Sequence, residues 1–208
     1  MRDHILKYLH TTTLRWVGAF AAFTLFSTPV FAHAIPGQAK GFVTGFLHPL
    51  SGLDHVLAMV AVGIWGAQLK RPAIWILPVA FPLVMSFGGL LGIRGVPLPG
   101  VEIGVAASAV VLGIVIALEL RPPLWVAGLI VSAFAIFHGH AHGTELPKAA
   151  SPLTYALGFV LATGLLHVSG ILIGLVDLLP IGGKLLRTVG GLIATTGLFL
   201  LAVLVNHA

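Results

Sequence analysis

Two short stretches hold most of the side chains that could bind a metal ion. The first reads His48-Pro49-Leu50-Ser51-Gly52-Leu53-Asp54-His55, and the second reads Phe137-His138-Gly139-His140-Ala141-His142-Gly143-Thr144-Glu145. Together they combine five imidazoles with two carboxylates in a chain that has only 6 Asp plus Glu and 10 His. There is no cysteine, so thiolate sites, disulfides and a cysteine nucleophile are excluded. Any metal is left to histidine nitrogen and to carboxylate or carbonyl oxygen.

Spacing decides which of these residues can share an ion. In an unbroken helix His48 and His55 lie on one face but roughly 10 Å apart along the axis, too far for one ion. Pro49 removes a backbone donor and disfavours helix at His48, and Gly52 relaxes the local turn, so a break there can fold His48, Asp54 and His55 together. In the second stretch His138 and His142 are four apart and Glu145 is three further on, so these three form one stripe on a continuing helix while His140 points elsewhere. Histidines at membrane interfaces often only hydrogen-bond to water or to neighbouring helices. For a lone His167 that ordinary role weighs as much as function. For the two clusters jointly a metal is the better explanation, because an intramembrane carboxylate such as Asp54 is costly unless paired or coordinated. His4, His10 and His207 are discounted by position, and Glu119 and Asp177 read as interfacial charges.

The elements that carry these residues follow from composition: 58% of residues are hydrophobic, 8% are charged and the mean hydropathy is +1.06. Soluble domains carry about 25% charged residues, so the solvent around most of this chain must be lipid. The formal charge of +5 does not point to nucleic acid, since the basic residues stand singly or in pairs at the ends of apolar runs. Residues 1–32 read as a signal peptide. Arg2, Lys7 and Arg15 precede an apolar run from Trp16 to Phe26, and Val30 and Ala32 suit cleavage after Ala32. The mature chain, 33–208, would then start at His33.

Apolar runs of spanning length predict six transmembrane helices near 41 to 69, 73 to 93, 100 to 120, 123 to 142, 152 to 179 and 183 to 205. The fold class is therefore an all-α integral membrane protein, a signal peptide followed by one six-helix bundle. A cleaved signal leaves the mature N-terminus outside, and the loops then expected inside carry Lys70 and Arg71, Arg121, and Lys184 and Arg187. The positive-inside rule agrees. Trp65, Trp75 and Trp125 fall near that inner side, as interfacial anchors would. Spacings such as Gly88 to Gly92, Gly100 to Gly104 and Gly170 to Gly174 predict close helix packing. In this topology the first helix begins outside and the fourth ends outside, so both clusters reach one face. Glu102 opens the third helix there, with His33 nearby. These are the secondary candidates, together with His140 and with His167 as a mid-depth relay.

At these residues the chain resembles the HupE/UreJ family of bacterial membrane proteins. The family pattern is a His, five residues and Asp-His in the first helix, met here by His48 to His55, and Phe-His-Gly followed by Ala-His-Gly-x-Glu in the fourth, met by Phe137 to Glu145. Leu57-Ala58-Met59 and Val101-Glu102 also fit, and the likeness covers the mature chain. Members are regarded as secondary permeases for nickel, with some branches assigned to cobalt. The resemblance implies uptake of Ni²⁺ or Co²⁺, with His48, Asp54, His55, His138, His142 and Glu145 as the residues of interest.

The expected function is thus a permease of the bacterial inner membrane, not an enzyme. Its substrate is a divalent cation, nickel first and cobalt next, with no permanent cofactor, and both termini are periplasmic. The lipid bilayer is its surroundings, nucleic acid is no partner, and oligomeric state is left open. No Walker A loop is present, so energy must come from ion gradients, membrane potential or a separate subunit. The alternative is an intramembrane zinc hydrolase, with three protein ligands and an activated water.

Overall fold

A chain this apolar must satisfy its backbone polar groups within itself, and α-helices do so without help from solvent. The computed structural model describes residues 41–146 and 152–207, and every regular element among them is helical. The helices are α1 (Gly41–Ser51), α2 (Leu53–Leu69), α3 (Ala73–Ile93), α4 (Val101–Ala117), α5 (Leu124–Thr144), α6 (Pro152–Gly174) and α7 (Gly182–His207), with a 3₁₀ turn at Leu175–Leu178 after α6. The signal peptide expected over 1–32, and His33 with it, lie outside the described residues.

Four helices are long and apolar enough to cross a membrane, and a fifth span is available if α1 and α2 are taken as one bent unit. The 17-residue α4 is apolar but shorter. Expected boundaries hold to within a few residues, with two physical differences. The helix expected over 41–69 is broken, its halves meeting at 82°. The break falls at Gly52, which is extended (φ −101°, ψ 119°), whereas Pro49 sits inside α1. The helix expected to run to 120 stops at Ala117, and Glu119 follows with a positive φ of 51°.

The helices pack mainly in pairs: α3 with α5, α4 with α7, and α6 with both α1 and α2. Glycine makes these contacts close. Cβ atoms at Gly139 and Gly143 would collide with the carbonyls of Met85 and Gly89, and one at Gly92 with that of His140. Cβ atoms at Gly45 and Gly158 would strike the carbonyls of Tyr155 and Phe42 across α1 and α6, and Gly63 and Gly170 stand likewise between α2 and α6. Gly113 and Gly190 do the same for α4 and α7. Small residues that let backbones touch are how helices adhere in lipid, where no hydrophobic force drives them together.

Central α2 is buried on every side from Ala58 to Gln68. This corrects the expectation for Trp65, which is fully buried and donates its indole N–H to the Leu120 carbonyl at 3.0 Å. Trp75 and Trp125 are exposed, as anchors should be.

Candidate metal centre

The break at Gly52 does for the first cluster what spacing alone could not. It turns α1 away from α2, so that His48 approaches from one direction while Asp54 and His55 enter from the first turn of α2. A Cβ on Gly52 would lie 2.8 Å from both Asp54 Oδ1 and His55 Nδ1, so the close turn and the side-chain pair depend on each other. Asp54 Oδ1 accepts from the backbone N–H of His55 at 2.9 Å and from the ring Nδ1–H at 2.8 Å. The carboxylate therefore fixes His55 with its proton on Nδ1 and a bare Nε2 facing inward. That nitrogen is buried without a partner.

The second cluster is positioned by the glycines within it. On α5, Gly139 and Gly143 face α3, which sends His138 and His142 to the interior and His140 to the other side. His138 is completely buried, with Nε2 3.0 Å from Ser108 Oγ of α4. The Ser108 hydroxyl proton is already committed to the Val105 carbonyl at 2.6 Å. His138 Nε2–H must then donate to Ser108, which leaves Nδ1 with its lone pair and without a partner. His142 is buried with neither ring nitrogen paired.

Two groups of ligand atoms result. One is His55, His138 and His142, the other His48, His142 and Glu145, and within each the donor atoms all lie within 4.8 Å of one another. Nitrogens bound to one metal at about 2.0–2.1 Å sit no more than ~4.2 Å apart, so modest side-chain shifts would close either group on an ion. In the second group His48 Nε2–H donates to Glu145 Oε2 at 3.1 Å, and that hydrogen bond holds the Glu145 carboxyl below its usual range. Glu145 is 57% exposed, so this group opens outward and the all-imidazole group lies behind it.

Asp54 joins neither group; it stands behind His55, where an orienting carboxylate belongs in a metal site. His140 donates from Nε2 to the Val96 carbonyl at 2.7 Å, and Glu102 is exposed at the start of α4. Neither lies in the two groups. His167 is buried in α6 with both ring nitrogens unpaired, and its ring meets Phe81 at 5.4 Å between centroids. Phe81 also meets His138, at 5.5 Å.

Aromatic rings complete the walls: Phe159 lies edge-on to His142 at 4.4 Å, and Tyr155 lies beside His48 at 5.9 Å. Phe81, Ser108, Tyr155 and Phe159 were not singled out from the sequence. For Ser108 a signal existed, a hydroxyl in the middle of an apolar run. The three aromatics carry no mark in a chain with 12 Phe and 2 Tyr.

The family profile described as "HupE / UreJ protein" matches residues 21–200. Protein HupE of Rhizobium leguminosarum bv. viciae is 44% identical over 197 residues, covering 94% of this chain and 99% of the relative. No solved structure matches.

Proposed function

The chain belongs to the HupE/UreJ family, and from that premise we propose that it takes up a divalent transition-metal cation, nickel first and cobalt next, from the periplasm into the cytoplasm. The observation that carries this reading is the pair of ligand groups sharing His142, one opening outward and the other enclosed. An ion held only to be stored or used would need one closed site. An ion in passage needs donors at successive depths.

The chemistry suits borderline cations. Three imidazoles and a carboxylate fit nickel, cobalt or zinc far better than magnesium or calcium, which require oxygen. Two countercharges match the dication, Glu145 at the outer group and Asp54 behind His55. Beyond them His167 is a mid-depth relay. With the mature N-terminus outside and six spans in the inner membrane, the C-terminus is periplasmic too, and an inward-negative potential favours entry of a dication by about 4.6 kcal/mol per 100 mV. Nothing at the site favours the hydrolase: the half-buried carboxylate of Asp54 that might activate water is bonded to His55 instead.

Uptake of radioactive nickel, with cobalt and zinc as competitors, tests the reading in cells expressing wild type, His142→Ala or Asp54→Ala at matched membrane levels. Wild-type uptake that both substitutions abolish is the expected result, and competition ranks the ions. Wild-type uptake no greater than that of empty cells would overturn it.

A further inference from the structure

His142 belongs to both ligand groups, and a neutral imidazole has only one lone pair available, since its other nitrogen carries the proton. It can serve one ion at a time. Both of its ring nitrogens are buried and unpaired, with His48 on one side at 4.8 Å between ring centroids and His55 on the other at 4.4 Å. The remaining members of the two groups differ in the way an entry route requires. Glu145 is mostly exposed and His48 is 18% exposed, whereas His138 is fully buried.

Resting on the permease reading, we infer that the two groups are successive stations of a single ion: His48, Glu145 and His142 capture it, and His55 and His138 then replace His48 and Glu145 while His142 stays bound. The exchange is one of ligands alone. At capture the ion displaces the hydrogen bond between His48 and Glu145, so the proton on His48 Nε2 must move to Nδ1 or to water. At transfer two metal–ligand bonds break and two form, and that hydrogen bond can re-form behind the departing ion. The inner nitrogens of His55 and His138 need no change of tautomer. Asp54 already holds the His55 proton on Nδ1 and Ser108 the His138 proton on Nε2, so both lone pairs wait for the ion. The countercharge passes from Glu145 to Asp54, so the dication is never buried without a carboxylate near it.

Purified full-length protein in detergent, titrated with Co²⁺, tests this through visible absorption and X-ray absorption that counts imidazole ligands. Wild type is expected to bind one Co²⁺ per chain, with three imidazoles and no protein carboxylate. Glu145→Gln should reach the same final spectrum but at least tenfold more slowly. His138→Ala should strand the ion in the outer group, with two imidazoles and a carboxylate. His55→Gln should give the same outer spectrum and serves if His138→Ala does not fold. Two Co²⁺ per wild-type chain, a final spectrum altered by Glu145→Gln, or an unchanged binding rate in that variant would each overturn the handoff. Absent uptake with these spectra intact would remove the permease reading alone. Intact uptake with two ions per chain would remove the handoff alone.

Discussion

The two ends of the bundle treat their buried polar groups in opposite ways. At the end holding Lys70, Arg71 and Arg121, both large buried polar side chains keep a partner: Trp65 donates to the Leu120 carbonyl, and Gln68 donates from Nε2 to the Ile116 carbonyl at 3.4 Å, only its Oε1 being unpaired. Arg121 stands 4.0 Å from Asp177. At the other end one nitrogen on each of His55 and His138, and both on His142, are buried and left unpaired. A buried polar group without a partner costs about 1–3 kcal/mol. Several in one place, with the opposite ring edges of His55 and His138 held by Asp54 and Ser108, mean that a missing partner is part of the design. The paired end is architecture and the unpaired end is a binding site.

Substitutions can break or sharpen that difference. The largest effect belongs to His142→Ala, which removes a donor from both groups and should lower Co²⁺ affinity of the purified protein by more than 100-fold, a loss readable by titration. Asp54→Asn comes next. The amide cannot anchor the His55 proton as a carboxylate does, and loss of such outer partners costs roughly 10–100-fold in metal affinity. A circular dichroism melt should move little, and an affinity within twofold of wild type would show that Asp54 does not orient the ring.

Acidity should act in the same range. Protons compete with the ion for imidazole nitrogen, so affinity should fall as pH is lowered from 7.5 toward 5.5. Glu145 contributes no inflection there, because its carboxyl is held below the usual range and stays ionised. Titrations between pH 7.5 and 5.5 would reveal the slope, and a flat profile would point to oxygen ligands.

Gly52→Ala should weaken binding by a smaller factor, on the order of tenfold, since its methyl group must push aside both Asp54 and His55. The smallest effect is expected at the paired end. Trp65→Phe removes one buried hydrogen bond and should cost about 1–2 kcal/mol of stability while leaving Co²⁺ affinity unchanged. A loss of affinity there would erase the distinction between the two ends.

Much of this was legible from the amino acids, for a physical reason in each case. Apolar runs of spanning length have few folds open to them in lipid, so most of the helices could be placed to within a few residues. The i, i+4 spacing of His138 and His142 fixes their common face, and His140 had to point away. Less was legible at the break. Proline and glycine both announced it, but only packing against Tyr155 and the Asp54–His55 pair decides that it opens at Gly52 and leaves Pro49 helical. Asp54 reads as a ligand by type, yet its neighbour captures it. Trp65 reads as an interfacial anchor by its distance from Lys70, but α2 is enclosed on all sides, a fact about other helices that its own sequence does not hold. Phe81 and Phe159 are silent for the same reason.

The glycine contacts have a mechanical side. Where backbone touches backbone, as between Gly139 and Met85, Gly158 and Phe42, or Gly63 and His167, neither partner can slide without a collision, so α3 moves with α5, and α1 and α2 move with α6. The donors straddle the line between these two welded blocks: His48 and His55 ride on one, His138, His142 and Glu145 on the other. They meet through rings and side-chain hydrogen bonds, which give way far more readily than interlocked backbones. An ion bound there would be the rivet across that line.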